Sequence, residues 1–182
     1  MTDRAIIRGG LARMGLPADE TTIDGICAAY LTTLADEMPR SAGFRVHPGV
    51  PDLLAALGDR AHVAMGLGTG NLRDGAQLKL ARAAIDHHFA FGGFGCDHED
   101  RPTLVHIGAE RGAARLSVPL SACRVVVIGD TPHDVAAARA LGAESLAVET
   151  GGIAAVELAA AGATRVVPDL AADGVLAMLA GV

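Results

Sequence analysis

The sequence predicts an α/β fold, a parallel sheet with helices on both faces. Three observations carry this. From Pro48 onward, short apolar runs alternate with stretches of helical periodicity. The runs are continuous rather than alternating, as in Val125-Val126-Val127-Ile128, the pattern of strands buried on both faces. Glycine, hydroxyl and acidic residues follow the runs, at the carboxyl ends where such sheets bind ligands.

The first forty residues read differently. Ile7, Leu11 and Met14 share one helical face, and Gly15 ends that helix. Ile23, Ile26, Tyr30 and Leu34 form a second stripe, which stops before Pro39. Two amphipathic helices without a strand suggest a small, partial cap over residues 1–43. Arg40–Gly43 then serves as a hinge, and residues 44–182 form the α/β core. In that core a helix over 49–57 precedes an apolar run, His62–Leu67. A helix over 72–85, a strand near Phe89–Phe94 and a helix over 102–116 come next. The strand Arg124–Ile128 leads into a helix, Pro132–Leu141. Strand Ser145–Val148, helix Ile153–Ala161, strand Thr164–Val167 and helix Asp169–Leu179 complete the series.

Composition narrows the function. Apolar residues make up 51% and charged residues 20%, so the chain folds around a core. Aromatics are only 3%, which disfavours base stacking on nucleic acid. The net charge of −6, without a basic block, argues against nucleic acid and anionic membranes as partners. Cys27, Cys96 and Cys123 are far apart and odd in number, which suggests a reduced, cytoplasmic protein. No apolar run is long enough to span a bilayer.

Three loops carry chemistry. In Gly129-Asp130-Thr131-Pro132-His133-Asp134, Asp130 ends a strand, Thr131 suits an N-cap and Pro132 the first helical position. Two carboxylates in a hydrated site suit Mg²⁺. The alternative is that Asp134 only complements the helix dipole. In Gly66-Leu67-Gly68-Thr69-Gly70-Asn71, the main-chain N–H groups and the Thr69 hydroxyl can grip a phosphoryl oxygen at a helix start. A glycine-rich turn with Asn71 as N-cap is the plainer reading. Arg101, before Pro102, opens a helix, where a cation opposes the dipole; at this sheet edge it becomes a phosphate clamp. His87, His88, His98 and Cys96 match no common zinc spacing.

Taken in order, these loops resemble the motifs of the haloacid dehalogenase (HAD) superfamily. Thr69-Gly70-Asn71 looks like its second motif, Arg101-Pro102 stands where its third has lysine-proline, and Gly129–Asp134 looks like its fourth. His47–Leu54 is similar to the core entry of phosphoglycolate-phosphatase-like members, and the match extends over about 48–180. The resemblance implies a Rossmann-like core and a Mg²⁺-dependent phosphatase of small phosphorylated metabolites, working through an aspartyl-phosphate. Thr69, Gly70, Asn71 and Arg101 would bind the phosphoryl group, with Thr69 and Arg101 catalytic. Asp130 and Asp134 would hold Mg²⁺. A haloacid dehalogenase, a nucleotide-binding module and a non-catalytic remnant are the alternatives.

The family's first motif, Asp-x-Asp-x-Thr after an apolar strand, is absent. Asp3, Asp19, Glu20, Asp24, Asp36 and Glu37 all lie in helical or turn contexts. The expectation is that a few tens of residues preceding Met1 are missing, and that the chain alone is inactive or nearly so and binds Mg²⁺ weakly or not at all. The family's nucleophile strand lies between the strands ending near Leu67 and Ile128. Its loss would open a gap of roughly 10 Å with two unpaired edges, so the expectation is a disturbed site there: a gap, a substitute segment or a partner strand, with self-association through the edges as one outcome.

Overall fold

Side-chain caps start the first two helices. In this computed structural model, which describes residues 1–181, the Thr2 hydroxyl oxygen accepts the Ala5 N–H at the head of α1 (Asp3–Arg13). The Asp19 carboxylate accepts the Thr22 N–H, 2.9 Å away, at the head of α2 (Glu20–Glu37). The two helices pack through Leu11, Ile23 and Cys27, with Leu72 of the core closing the cluster. Arg4 and Arg8 of α1 reach Glu20 of α2, and Arg8 also reaches Glu99 in a core loop.

Five short strands follow among the described residues, all paired in parallel. β1 (Leu67–Thr69) pairs with β2 (Gly92–Phe94). β3 (Val126–Gly129) pairs with β4 (Glu144–Val148), which pairs with β5 (Arg165–Val167). β1 and β3 do not pair, so the strands form a two-stranded and a three-stranded sheet. The expected break between these strands is therefore present.

Helices cover both faces. On one, α5 (Arg101–Arg115), α6 (Pro132–Leu141) and α7 (Ala155–Ala160) bury Leu104, Val105, Val135, Ala137 and Leu158. On the other, α3 (Val50–Gly58) and α8 (Val175–Ala180) pack Leu53, Leu57 and Val175 onto Leu146, Val148 and Val167. α4 (Arg73–Arg82) follows β1 and contacts α2. Helix α5 lies very close to β2. A methyl group on Gly93 would fall 1.7 Å from the Leu104 carbonyl oxygen, and one on Gly108 2.8 Å from the Gly93 nitrogen.

Two elements differ most from expectation. The run His62–Leu67 is not a strand until its last residue; Val63 N–H bonds to Arg60 O in a turn, and pairing begins where β2 offers a partner at Gly92. Helix α8 starts at Val175 rather than Asp169. Gly174 is left-handed at φ 74°, which stops the helix extending further back, and Asp169 instead caps the turn at Ala171.

The free edges follow from hydrogen-bond parity. Leu67 N–H donates to Phe91 O, so Leu67 and Thr69 direct their main chain at β2 and Gly68 faces away. Glu144 N–H donates to Val125 O, so Val127 and Gly129 face β4, and Val126 and Ile128 face away.

Candidate active site

The site grows from the carboxyl ends of β1 and β3. Asp100 caps α5, accepting the Thr103 N–H at 3.1 Å, and this places Arg101 on the first turn. Arg101 reaches across to α6, where Nε and Nη2 donate to Asp134 Oδ1 at 2.9 and 2.5 Å. Nη2 also lies 3.4 Å from Gly68 O on the free edge of β1. One guanidinium thus links the two sheets beside Thr69.

Asp134 is buried, and its other oxygen is also engaged. Oδ2 accepts the Thr131 N–H at 3.1 Å and the Thr131 hydroxyl at 2.7 Å. The carboxylate therefore reaches back over the N-cap as well as pairing with Arg101. Asp130 lies apart from this network, its carboxylate against the Cα of Gly151. It makes no hydrogen bond to Asp134 or Arg101 among the described residues.

The β1–α4 loop is held from an unexpected direction. Thr69 Oγ1 accepts the Asn71 N–H at 3.2 Å. The Asn71 side chain donates to Asp3 at 3.2 Å and accepts from Lys79 Nζ at 3.0 Å. Asp3 also accepts the Leu72 N–H at 2.9 Å, and its own N–H donates to Gly70 O. The start of α1, with Thr2 fully buried against Gly70 and Gly95, is fastened onto the loop. Asn71 therefore spends its amide on Asp3 and Lys79, leaving the Thr69 side chain and the loop backbone as the groups available to an anion.

Sequence reasoning missed Asp3 and Lys79, because their partners lie far away in the chain. It also passed over Asp97, in the loop before Arg101. Arg111 grips Asp97 with two bonds, of 2.6 and 2.9 Å, and Phe94 N–H donates to the same carboxylate. The Arg111 hydrogen bonds hold the Asp97 carboxyl below its ordinary range, against a smaller opposing effect of burial. The pair fixes the β2–α5 loop and hence the start of α5.

The arrangement does not fit Mg²⁺ as it stands. Both Asp134 oxygens are taken by protein donors, and no group of three or more His, Cys, Asp or Glu gathers among the described residues. His87 and His88 stack with ring centres 4.1 Å apart and line a separate cavity of about 320 Å³ with Arg60 and Arg115.

Residues 106–173, which include the Asp130–Asp134 loop but neither Thr69 nor Arg101, match a family model described as HAD-hydrolase-like. Three solved structures share the fold. A hydrolase from Pseudomonas syringae superposes with a TM-score of 0.64 at 22% identity, over 100% of this chain and 79% of that one. A haloacid dehalogenase-like hydrolase from Streptococcus pneumoniae gives 0.59 at 18%, covering 97% and 91%. A haloacid dehalogenase-like protein of unknown function from Agrobacterium tumefaciens gives 0.58 at 21%, covering 100% and 78%. No curated protein matches the chain. The molecule is an α/β protein with parallel sheets in the fold of HAD-like hydrolases, and the sequence match to the family model lies within residues 106–173. Among the described residues, no helix is long and apolar enough to cross a membrane.

Proposed function

We propose that the site belongs to a phosphatase of small phosphorylated metabolites, of the kind that forms an aspartyl-phosphate, and that this chain supplies its phosphate-binding half. The observation that carries the reading is Arg101, held beside Thr69 by Asp134 and Gly68 O at the carboxyl ends of β1 and β3. Thr69 and the Gly70 backbone bind phosphoryl oxygens, and Arg101 offsets charge spread over the phosphoryl group in transfer. The attacking carboxylate would be that of an Asp-x-Asp-x-Thr strand, a motif this sequence does not contain. Its oxygen bonds to phosphorus as the alcohol leaves with a proton, and water then releases phosphate.

Mg²⁺ would offset charge between phosphate and carboxylates in such an enzyme, with Asp130 and Asp134 as its ligands. In this chain Asp134 is open to a cation only after Arg101 swings away, so Mg²⁺ binding is weak. The closed Arg101–Asp134 pair also favours a second reading, a remnant that binds phosphate without turning it over.

Phosphate release from small phosphomonoesters, measured on this chain and on one carrying an Asp-x-Asp-x-Thr strand ahead of Met1, tests both. The expected result is release by the extended chain alone, abolished by Arg101→Ala. Phosphate binding lost on Arg101→Ala, with no turnover in either chain, supports the remnant. Neither binding nor turnover overturns both.

A further inference from the structure

The cavity of about 320 Å³ beside the stacked histidines opens at the amino ends of β1 and β2, a strand's length from Thr69. Met65 and Ala90, each two residues ahead of its strand, form part of the wall. The C-terminal ends of α3 and α5 supply Gly58 and Arg115, and the turn after α3 supplies Arg60. His87 and His88 come from the short turn Asp86–His88 ahead of β2. A methyl group on Gly58 would lie 3.6 Å from His88 Nδ1, so the imidazole rests on the end of α3.

Every ionisable side chain on this wall is basic. The carbonyl ends of α3 and α5 each bring about half a negative charge, so two guanidiniums leave roughly one positive charge uncompensated. Neither arginine is spent on a carboxylate. Arg60 donates through Nε to Ala56 O at 3.4 Å, which leaves its terminal nitrogens. It also borders a second cavity beside Asp52 and Asp173, without an ion pair to either. Arg111, one turn earlier on α5, grips Asp97, whereas the exposed Arg115 has no ion-pair partner among the described residues. Asp59 and Asp86 flank these segments in sequence but are not on the wall. The two imidazoles, with ring centres 4.1 Å apart, would repel each other and the arginines on protonation. An anion among them removes that repulsion.

We propose that this cavity binds a small, multiply charged oxyanion of the phosphate class, remote from the candidate active site. Guanidinium forks match pairs of oxygens on such an anion, and imidazole N–H groups add donors from the β2 side. The volume is at the small end of the range for ligand sites, which suits a compact anion. A larger apolar ligand would leave the basic groups buried without partners. Inorganic phosphate and the phosphate head of a small ester share this chemistry. The inference rests on the charge and shape of the cavity, not on the phosphatase reading.

The test titrates inorganic phosphate and glycerol phosphate separately into the unmodified chain, with chloride at matched ionic strength as the control. The imidazole resonances of His87 and His88 are followed by NMR. The expected result is a saturable shift of both imidazoles with phosphate, its ester or both, and none with chloride. The tighter of the two ligands identifies the source, free anion or ester, and either supports the proposal. Arg115→Gln, at an exposed position, should weaken binding about tenfold, as should Arg60→Gln, the effect of losing a hydrogen bond to a charged group. Absent shifts, shifts reproduced by chloride, or shifts that neither substitution weakens overturn the proposal and leave the arginines as complements to two helix ends. The readout lies at the opposite end of β1 from Thr69 and involves no phosphate release, so this inference and the phosphatase reading fail separately.

Discussion

Arg101 and the buried Asp134 form a pair in which removal of the half-buried arginine strands a charge. Arg101→Ala leaves Asp134 with only the Thr131 donors for its buried carboxylate. The expected loss is about 3 kcal/mol, measured by urea unfolding, with a smaller loss for Arg101→Lys. Asp97 makes a pH-dependent contribution. Its folded pKa is lowered chiefly by Arg111, so its stabilisation is present above the ordinary carboxylate range, about pH 4, and is lost as pH falls through the lowered value. Stability curves in acid should fall less steeply for Asp97→Asn than for the unaltered chain; parallel curves would remove Asp97 from the account. Thr69, Arg101, Asp130 and Asp134 were legible as candidates because each ends a strand or opens a helix. Asp3 was not, since nothing local to Met1–Arg4 records that its carboxylate meets Asn71 and Leu72 across the fold.

Among the elements, α5 and β2 approach most closely. Gly93→Ala would drive its methyl group into the Leu104 carbonyl, where the obstacle is backbone and cannot turn aside. A loss of about 3 kcal/mol or more is expected, read as a lowered thermal midpoint; an unchanged midpoint would mean that α5 is free to shift. Periodicity located α6 well because Thr131, Pro132 and Gly142 punctuate it. It misplaced β1 and the start of α8. In both cases apolar residues lie in turns, where burial rather than pairing accounts for them.

For the molecule as a whole, the divided sheet means that equivalent strand residues differ in what they contribute. Leu146→Ala, at a fully buried position, should cost about 3 kcal/mol, and Ile128→Ala no more than about 1. Equal costs in denaturant titrations would indicate that Ile128 is covered in solution. The fold class was legible from alternation alone, and the break from the missing first motif. The joining of the helical pair to the β1–α4 loop was not legible, because it depends on ion pairs and caps between distant segments. That joining has a practical use. Lys79, the single lysine of the chain, lies on Asn71, and the Met1 main chain lies against Gly70. The lysine amine thus lies beside the candidate phosphate loop, and an isotope-labelled methyl group attached to it would place a spectroscopic reporter there without any substitution.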